Sequence, residues 1–314
     1  MEKSERIAGG IWGAIVGDAL GVPVEFTSRE ERRRDPVTGM RGYGTHNQPP
    51  GTWSDDSSLL MCTVEQLAGH KYFPEWLGIL FESWVDFGYM TPDGLVFDIG
   101  NTTSAAIARI KQGVAPEEAG GAGERDNGNG SLMRILPVAL CYAGAPVEEM
   151  LATAHSVSSL THRHPRSQMA CGLYCLMVKA LLEGKEPPNA YQYMIAQGQL
   201  HYAAPPFANE HRHFARLFSG NIAEMPETEI ASSGYVVHTL EASIWCLLNS
   251  SSFEETVLKA VNLGDDTDTT GCLAGGIAGV YWAVNSIPAE WLGAIEGKEW
   301  LGDYIDPFVV WCGR

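Results

Sequence analysis

The sequence predicts an all-α fold, a single compact multi-helix bundle with long functional loops, on three observations. Apolar residues recur at helical spacing in segment after segment. No stretch sustains two-residue alternation between hairpin turn signals. The composition, 45% apolar and 19% charged, is that of a globular chain. Taken in order, segment 6–20 places Ile7, Ile11 and Ile15 at i, i+4 and i+8, with Gly and Ala beside them that admit a close neighbour. Segment 55–67 gathers Leu59, Leu60, Thr63, Val64 and Leu67 on one side. Segment 165–182 opens on Pro165, favoured in a first turn, and runs through Met169, Leu173, Leu176 and Ala180. Segments 235–248 and 254–263 carry the same period, and 269–284 sets Gly271, Gly275 and Gly279 at every fourth residue as a smooth packing stripe. The Gly/Pro-rich connections 27–53, 89–100, 115–130 and 197–234 are longer than compact domains usually tolerate unless they carry function. None has the composition of a linker, so residues 1–314 read as one domain.

Charge excludes some partners. With 38 Asp+Glu against 21 Lys+Arg, the net charge is −17 and the longest basic run is Arg32-Arg33-Arg34. Such a chain is a poor match for a nucleic-acid backbone. No window supplies the roughly 18 continuous apolar residues of a membrane span, and no small-residue cleavage site follows the N-terminal apolar stretch. The expectation is therefore no nucleic-acid partner, no membrane, and a cytoplasmic location. The seven cysteines are odd in number, and Cys141, Cys171, Cys175, Cys246 and Cys272 fall in apolar helical stretches. They are expected to be reduced core residues.

Chemistry concentrates in two acidic segments, each a loop entering a helix: Gly51-Thr52-Trp53-Ser54-Asp55-Asp56-Ser57 and Gly264-Asp265-Asp266-Thr267-Asp268-Thr269-Thr270. The simpler reading makes Ser54 and Asp265 N-caps, with the other acids favouring the positive end of the helix dipole. Capping needs only one such group, however, and each segment offers several. Carboxylates crowded this closely repel or hold protons unless a cation compensates them. An all-oxygen set suits Mg²⁺, Mn²⁺ or Ca²⁺. Two such loops at opposite ends of the chain look like the halves of one two-metal site. A third acidic stretch, Gly17-Asp18-Ala19-Leu20-Gly21-Val22-Pro23-Val24-Glu25, closes the first helix.

The run Asn127-Gly128-Asn129-Gly130-Ser131-Leu132-Met133-Arg134 is a glycine loop leading into a predicted helix. It suits phosphate oxygens as well as it suits a plain turn with a cap. His162 and His164 precede the helix at Pro165, where turn and capping roles are commoner than metal ligation, and His211 and His213 sit in a polar, solvated stretch. Tyr235 opens a helix after Ser233-Gly234.

These segments together resemble the ADP-ribosylglycohydrolase family, from Gly13-Ala14-Ile15-Val16-Gly17-Asp18-Ala19-Leu20-Gly21 to Gly264-Asp265-Asp266-Thr267-Asp268-Thr269. Between these ends lie Trp53-Ser54-Asp55-Asp56, Phe97-Asp98-Ile99-Gly100-Asn101-Thr102-Thr103, the 127–134 loop, Thr161-His162 and Gly234-Tyr235-Val236. The resemblance implies an all-α bundle holding two divalent cations, Mg²⁺ or Mn²⁺. Its metal ligands would be Ser54, Asp55, Asp56, Asp266, Asp268 and Thr269. It implies catalytic roles for Glu25, Asp56 and Asp98. Asn127, Gly128, Asn129, Gly130 and Ser131 would hold the diphosphate and nearby ribose, with Gly100, His162, Gly234 and Tyr235 lining the groove. Ser54 stands where many members have Thr, and 197–234 matches no quoted motif. The implied partners are an ADP-ribosylated protein as substrate and ADP-ribose as product. The expected reaction is hydrolysis at the ribose anomeric carbon, with arginine as the preferred acceptor. The alternatives are a protein that binds ADP-ribose without turnover, a structural relative, or a hydrolase of another conjugate such as ADP-ribosyl-serine or O-acetyl-ADP-ribose.

Overall fold

A computed structural model describes residues 2–314 of the chain. Its helices of nine residues or more are α1 (Lys3–Gly21), α2 (Asp55–Leu67), α3 (Pro74–Phe87), α4 (Asn101–Lys111), α5 (Val147–Ser159), α6 (Pro165–Leu182), α7 (Pro187–His201), α8 (Val236–Leu248), α9 (Phe253–Val261), α10 (Thr267–Trp282) and α11 (Lys298–Gly313). Among the described residues no β-sheet forms; two isolated bridges pair Gly121 with His162 and Gly128 with Tyr235.

Glycine spacing sets the centre of this bundle. Gly9, Gly13 and Gly17 of α1 face Gly279, Gly275 and Gly271 of α10, so the two helices run antiparallel. A Cβ on any of the six would run into the opposing glycine's carbonyl oxygen. Glycine in a helix interior costs about 1 kcal/mol relative to alanine, a cost tolerated because only bare backbones approach this closely. The antiparallel pairing brings Asp18, in the last turn of α1, and Glu25, beyond its end, against the start of α10, with Asp266 and Asp268. Gly275→Leu is expected to destabilise the fold by on the order of 3 kcal/mol and to lower the thermal midpoint. Gly293→Ala, where a Cβ meets nothing within 4 Å, should leave the midpoint unchanged or raise it.

Helix α1 also qualifies by length and composition as a membrane span (Lys3–Val24), against the expectation that no segment would. Its 18-residue window is 94% buried inside the protein, so its apolar surface already packs against other helices. Helix α6 lies in the same core and is buried along most of its length.

Several other expectations need correction. The 27–53 connection contains a helix, Arg29–Arg34, closed by a Ser28–Glu31 capping box. Its six charged residues carry no apolar period, so periodicity could not find it. The 197–234 stretch is built from the end of α7 and short helical pieces such as Phe207–Phe214. Cys141 is not reduced: it pairs with Cys312, 171 residues away, while Cys62, Cys171, Cys175, Cys246 and Cys272 are free and buried. Only packing of α11 against the end of the short helix Leu136–Cys141 brings those two sulfurs together.

Candidate active site

The carboxylates meet because Asp18, at the end of α1, organises the start of α2. Fully buried, it accepts hydrogen bonds from the Ser54 amide at 3.0 Å, the Ser57 amide at 3.0 Å and the Ser57 hydroxyl. Burial pushes its pKa up to about 6, with those hydrogen bonds opposing the rise. Ser54 caps α2 by accepting from the Asp56 amide, as expected, which leaves Asp55 and Asp56 without a capping task. At α10 the cap position belongs to Asp266, not Asp265, and its side chain makes no capping bond. Reciprocal backbone bonds of 2.7 Å, Phe26 N–H to Asp265 O and Asp265 N–H to Thr27 O, tie the Glu25 loop to this second segment. Phe26, Asp98 and Asp265 hold φ near +60°, each at a cost on the order of 1 kcal/mol that the surrounding bonds must offset.

The resulting cluster is under-neutralised. Burial first, and neighbouring carboxylates second, push Asp55, Asp56 and Asp268 well above the usual carboxylate range. Among the described residues the cluster's ion pairs run only to His46, which touches Glu25 and stands 3.9 Å from Asp98. Burial drives Glu25, 3% exposed, up to about 8 despite that hydrogen bond. Asp56 Oδ2, Asp266 Oδ1 and Asp268 Oδ2 are buried with no hydrogen-bond partner. Orphaned carboxylate oxygens carry a desolvation penalty that a hard cation would remove. Two groups place their donor atoms within 4.8 Å of one another: Glu25 with Asp266 and Asp268, and Glu25 with His46 and Asp98. The residues therefore fit divalent cations. Thr269 joins the two halves through a hydroxyl bond to Asp56 Oδ1 at 3.3 Å.

The acids line a cleft of about 370 Å³ that also takes in the start of α4 and the glycine loop. Gly100, Asn101, Thr102 and Thr103 line it at the start of α4, whose N-cap residue, Gly100, makes no side-chain capping bond. A helix start left uncapped this way favours an anion. Gly128, Asn129 and Gly130 form the facing wall with His162 and Gly234. The loop is held by Asn129 N–H to Gly234 O at 3.0 Å and by Asn129 Nδ2 to Asp266 Oδ2 at 2.9 Å. A Cβ at Gly130 would press on the His162 ring and the Thr103 hydroxyl at 2.9 Å.

His162 is buried, and burial with the nearby Arg134 cation lowers its pKa to about 3. Arg134 donates to the Thr161 hydroxyl at 2.7 Å, and that hydroxyl has no other acceptor in reach than His162 Nδ1 at 2.8 Å. The ring is thus neutral, with its proton on Nε2. In the unfolded chain this histidine binds a proton near pH 6.5, so its contribution to stability is full above that pH and is lost as pH falls towards 3. Wild type is expected to lose about 3 kcal/mol more than His162→Gln between pH 7 and pH 4, measured by denaturant unfolding. Parallel curves for the two proteins would refute this.

The ADP-ribosylglycohydrolase family model matches residues 1–311. The chain belongs to the ADP-ribosylglycohydrolase family. It is 30% identical over 307 residues to ADP-ribosylarginine hydrolase Tri1 of Serratia proteamaculans (strain 568), covering 95% of this chain and 77% of that protein. It is likewise 30% identical over 303 residues to the ADP-ribosyl-(dinitrogen reductase) glycohydrolase of Rhodospirillum rubrum, covering 94% and 91%. A solved structure described as an ADP-ribosylglycohydrolase-related protein complex superposes with a TM-score of 0.83 at 28% identity, over 99% of each chain.

In this ADP-ribosylglycohydrolase family chain, Glu25, Asp55, Asp56, Asp98, Asp266 and Thr269 reach the cleft, as do Gly100, Gly128, Asn129, Gly130, His162 and Gly234. Other expected residues lie behind the wall. Ser54 and Asp268 are buried beneath the acids. Ser131 turns into the core, where it accepts from Ser158 at 2.9 Å. Asn127 is buried and accepts from Ser167 at 3.1 Å. Tyr235 stands half-buried beside the cleft, paired with Gly128. His46, Arg125 and the α4 start at Asn101 to Thr103 join the site without a sequence signal of their own role: Asn101 to Thr103 belong to the 97–103 motif, whereas His46 and Arg125 sit in aperiodic polar loops. His213 stays partly exposed but is not free: its Nε2 lies 2.8 Å from Arg166.

Proposed function

We propose that this chain removes ADP-ribose from modified arginine side chains of a protein substrate by hydrolysing the bond at the ribose anomeric carbon. The observation that carries this reading is one cleft that orphaned, buried carboxylate oxygens share with the uncapped start of α4 and the glycine loop at Gly128–Gly130. Two relatives named for release of ADP-ribose, one of them specifically from arginine, support the acceptor.

Ser54, Asp55 and Asp56 from one loop, and Asp266, Asp268 and Thr269 from the other, would hold two cations, Mg²⁺ or Mn²⁺. When bound, these would supply Lewis-acid chemistry, gripping the ribose hydroxyls and acidifying water. The backbone N–H groups of Gly128 and Gly130 and those at the start of α4 bind the diphosphate, and His162 adds an Nε2–H donor. With cations bound, the carboxylate form of Glu25 is favoured over the protonated form that burial alone favours. In that form Glu25 serves as general base, taking a proton from the attacking water as the oxocarbenium-like transition state develops. Asp98, whose carboxyl is pushed up by burial, positions or protonates the leaving guanidine. Acidic walls also suit a guanidinium acceptor.

The test is mass spectrometry of matched arginine- and serine-ADP-ribosylated peptides after incubation with Mg²⁺, with Mn²⁺ and with chelator. Metal-dependent release from the arginine peptide supports the reading. Release from serine alone moves the acceptor. Tight ADP-ribose binding with no release under any metal would make the chain a binding protein.

A further inference from the structure

One buried cation beside the cleft has no part in the chemistry above. Arg166, the second residue of α6, is 3% exposed and has no partner on its own helix beyond its cap. Its guanidinium makes a bidentate pair with Glu124 at 2.8 and 3.1 Å, donates through Nε to Glu210 at 2.8 Å, and lies 2.8 Å from His213 Nε2. The same group stands 5.9 Å from the centroid of the Tyr235 ring. His213 Nε2 accepts from Arg166, so its Nδ1 carries the proton, 3.5 Å from the Tyr235 hydroxyl. Next along the helix, Ser167 donates to Asn127 in the glycine loop at 3.1 Å.

Three segments distant in sequence, around Glu124, Glu210–His213 and Tyr235, therefore meet on one side chain. Two of them border the cleft: Arg125 and Gly128 line it, and Gly234, where an added Cβ would come 3.0 Å from Asp266 Oδ2, lines it and precedes Tyr235. An ADP-ribosyl group is linear, running acceptor, ribose, diphosphate, adenosine. With the reacting ribose at the acids and the diphosphate along the glycine loop, the adenosine extends past Gly128, whose backbone pairs with that of Tyr235.

We propose that Arg166 is a positioning residue for the adenosine half of the substrate: it locks Tyr235 and the two loops around Glu124 and Glu210 into one wall. This rests on the reading that an ADP-ribosyl group occupies the cleft. Lysine cannot replace it, because a point charge cannot supply a planar fork plus a third donor fixed in the same plane and aimed at a second carboxylate.

The test compares wild type, Arg166→Lys and Arg166→Met on an arginine peptide carrying ADP-ribose and on the same peptide carrying only phosphoribose, which lacks the adenosine half. Calorimetric titration with ADP-ribose and with ribose 5-phosphate runs alongside. Both variants are expected to raise KM for the ADP-ribosyl peptide, and Kd for ADP-ribose, about tenfold, with kcat within about twofold. Values for the phosphoribosyl peptide and for ribose 5-phosphate should not move. Equal losses with both substrates would mean a merely structural role, and unchanged ADP-ribose affinity would also overturn the proposal. Rescue by lysine would overturn the fork argument. If Arg166→Met fails to fold, Glu210→Gln, which leaves the Glu124 pair intact, should show the same selective loss at about threefold. Wild type that binds ADP-ribose but cleaves neither peptide would sink the hydrolase reading alone, because the binding comparison still tests Arg166. Wild type that binds no ADP-ribose overturns both.

Discussion

Asp268→Asn is expected to reduce kcat/KM by at least about a thousandfold while making the metal-free protein harder to unfold. Asp268 Oδ1 accepts from the Thr269 amide, Oδ2 is buried without a partner, and the carboxylate places an oxygen within 4.8 Å of Glu25 and Asp266. An asparagine amide at that place would donate to those carboxylates and remove one buried like charge. Divalent cation at a hundred times its Kd should stabilise wild type by about 2.7 kcal/mol. The variant should show much less of that shift. Thermal unfolding with Mg²⁺, with Mn²⁺ and with chelator measures both halves of the prediction. A variant that is less stable without metal, yet still fully stabilised by it, would mean that Asp268 is structural.

Glu25→Gln should lower kcat by about a thousandfold and leave the Kd for ADP-ribose within about threefold. The carboxyl reaches the cleft and is buried beside His46, Asp98 and Asp266, so the amide fits the same volume but cannot take a proton. Asp98→Asn is the comparison. If it costs more than Glu25→Gln in single-turnover rates, the proton route runs through Asp98 and the roles exchange. If neither loses more than about tenfold, the carboxylate that activates water lies among the metal-holding residues.

Residues whose chemistry follows from short-range pattern were readable along the chain. The four-residue glycine spacing in 269–284 announced a close helix contact, and the packed pair α1 and α10 realises it. The adjacent acids of both loops announced a charge cluster, because no cap needs that many. Asn127 and Ser131 show where pattern stops: both stand in the right loop, yet they hold it from behind while Gly128, Asn129 and Gly130 face the cleft. A loop's residue types do not say which side of its own backbone is the inside.

His46, Arg166 and the Cys141–Cys312 pair were invisible for one shared reason. Each acts through partners brought close only by packing: Glu25 and Asp98 for His46, and Glu124, Glu210 and Tyr235 for Arg166. Helical class, the glycine stripe, the kinds of donor atom and the family motifs are properties of nearest neighbours along the chain, so composition and period carry them. Which carboxylate oxygens remain without partners, and which cation closes the wall beside Tyr235, depend on the antiparallel docking of α1 on α10 and on where α6 begins. Those are sums over contacts between distant segments, and local spacing holds no record of them.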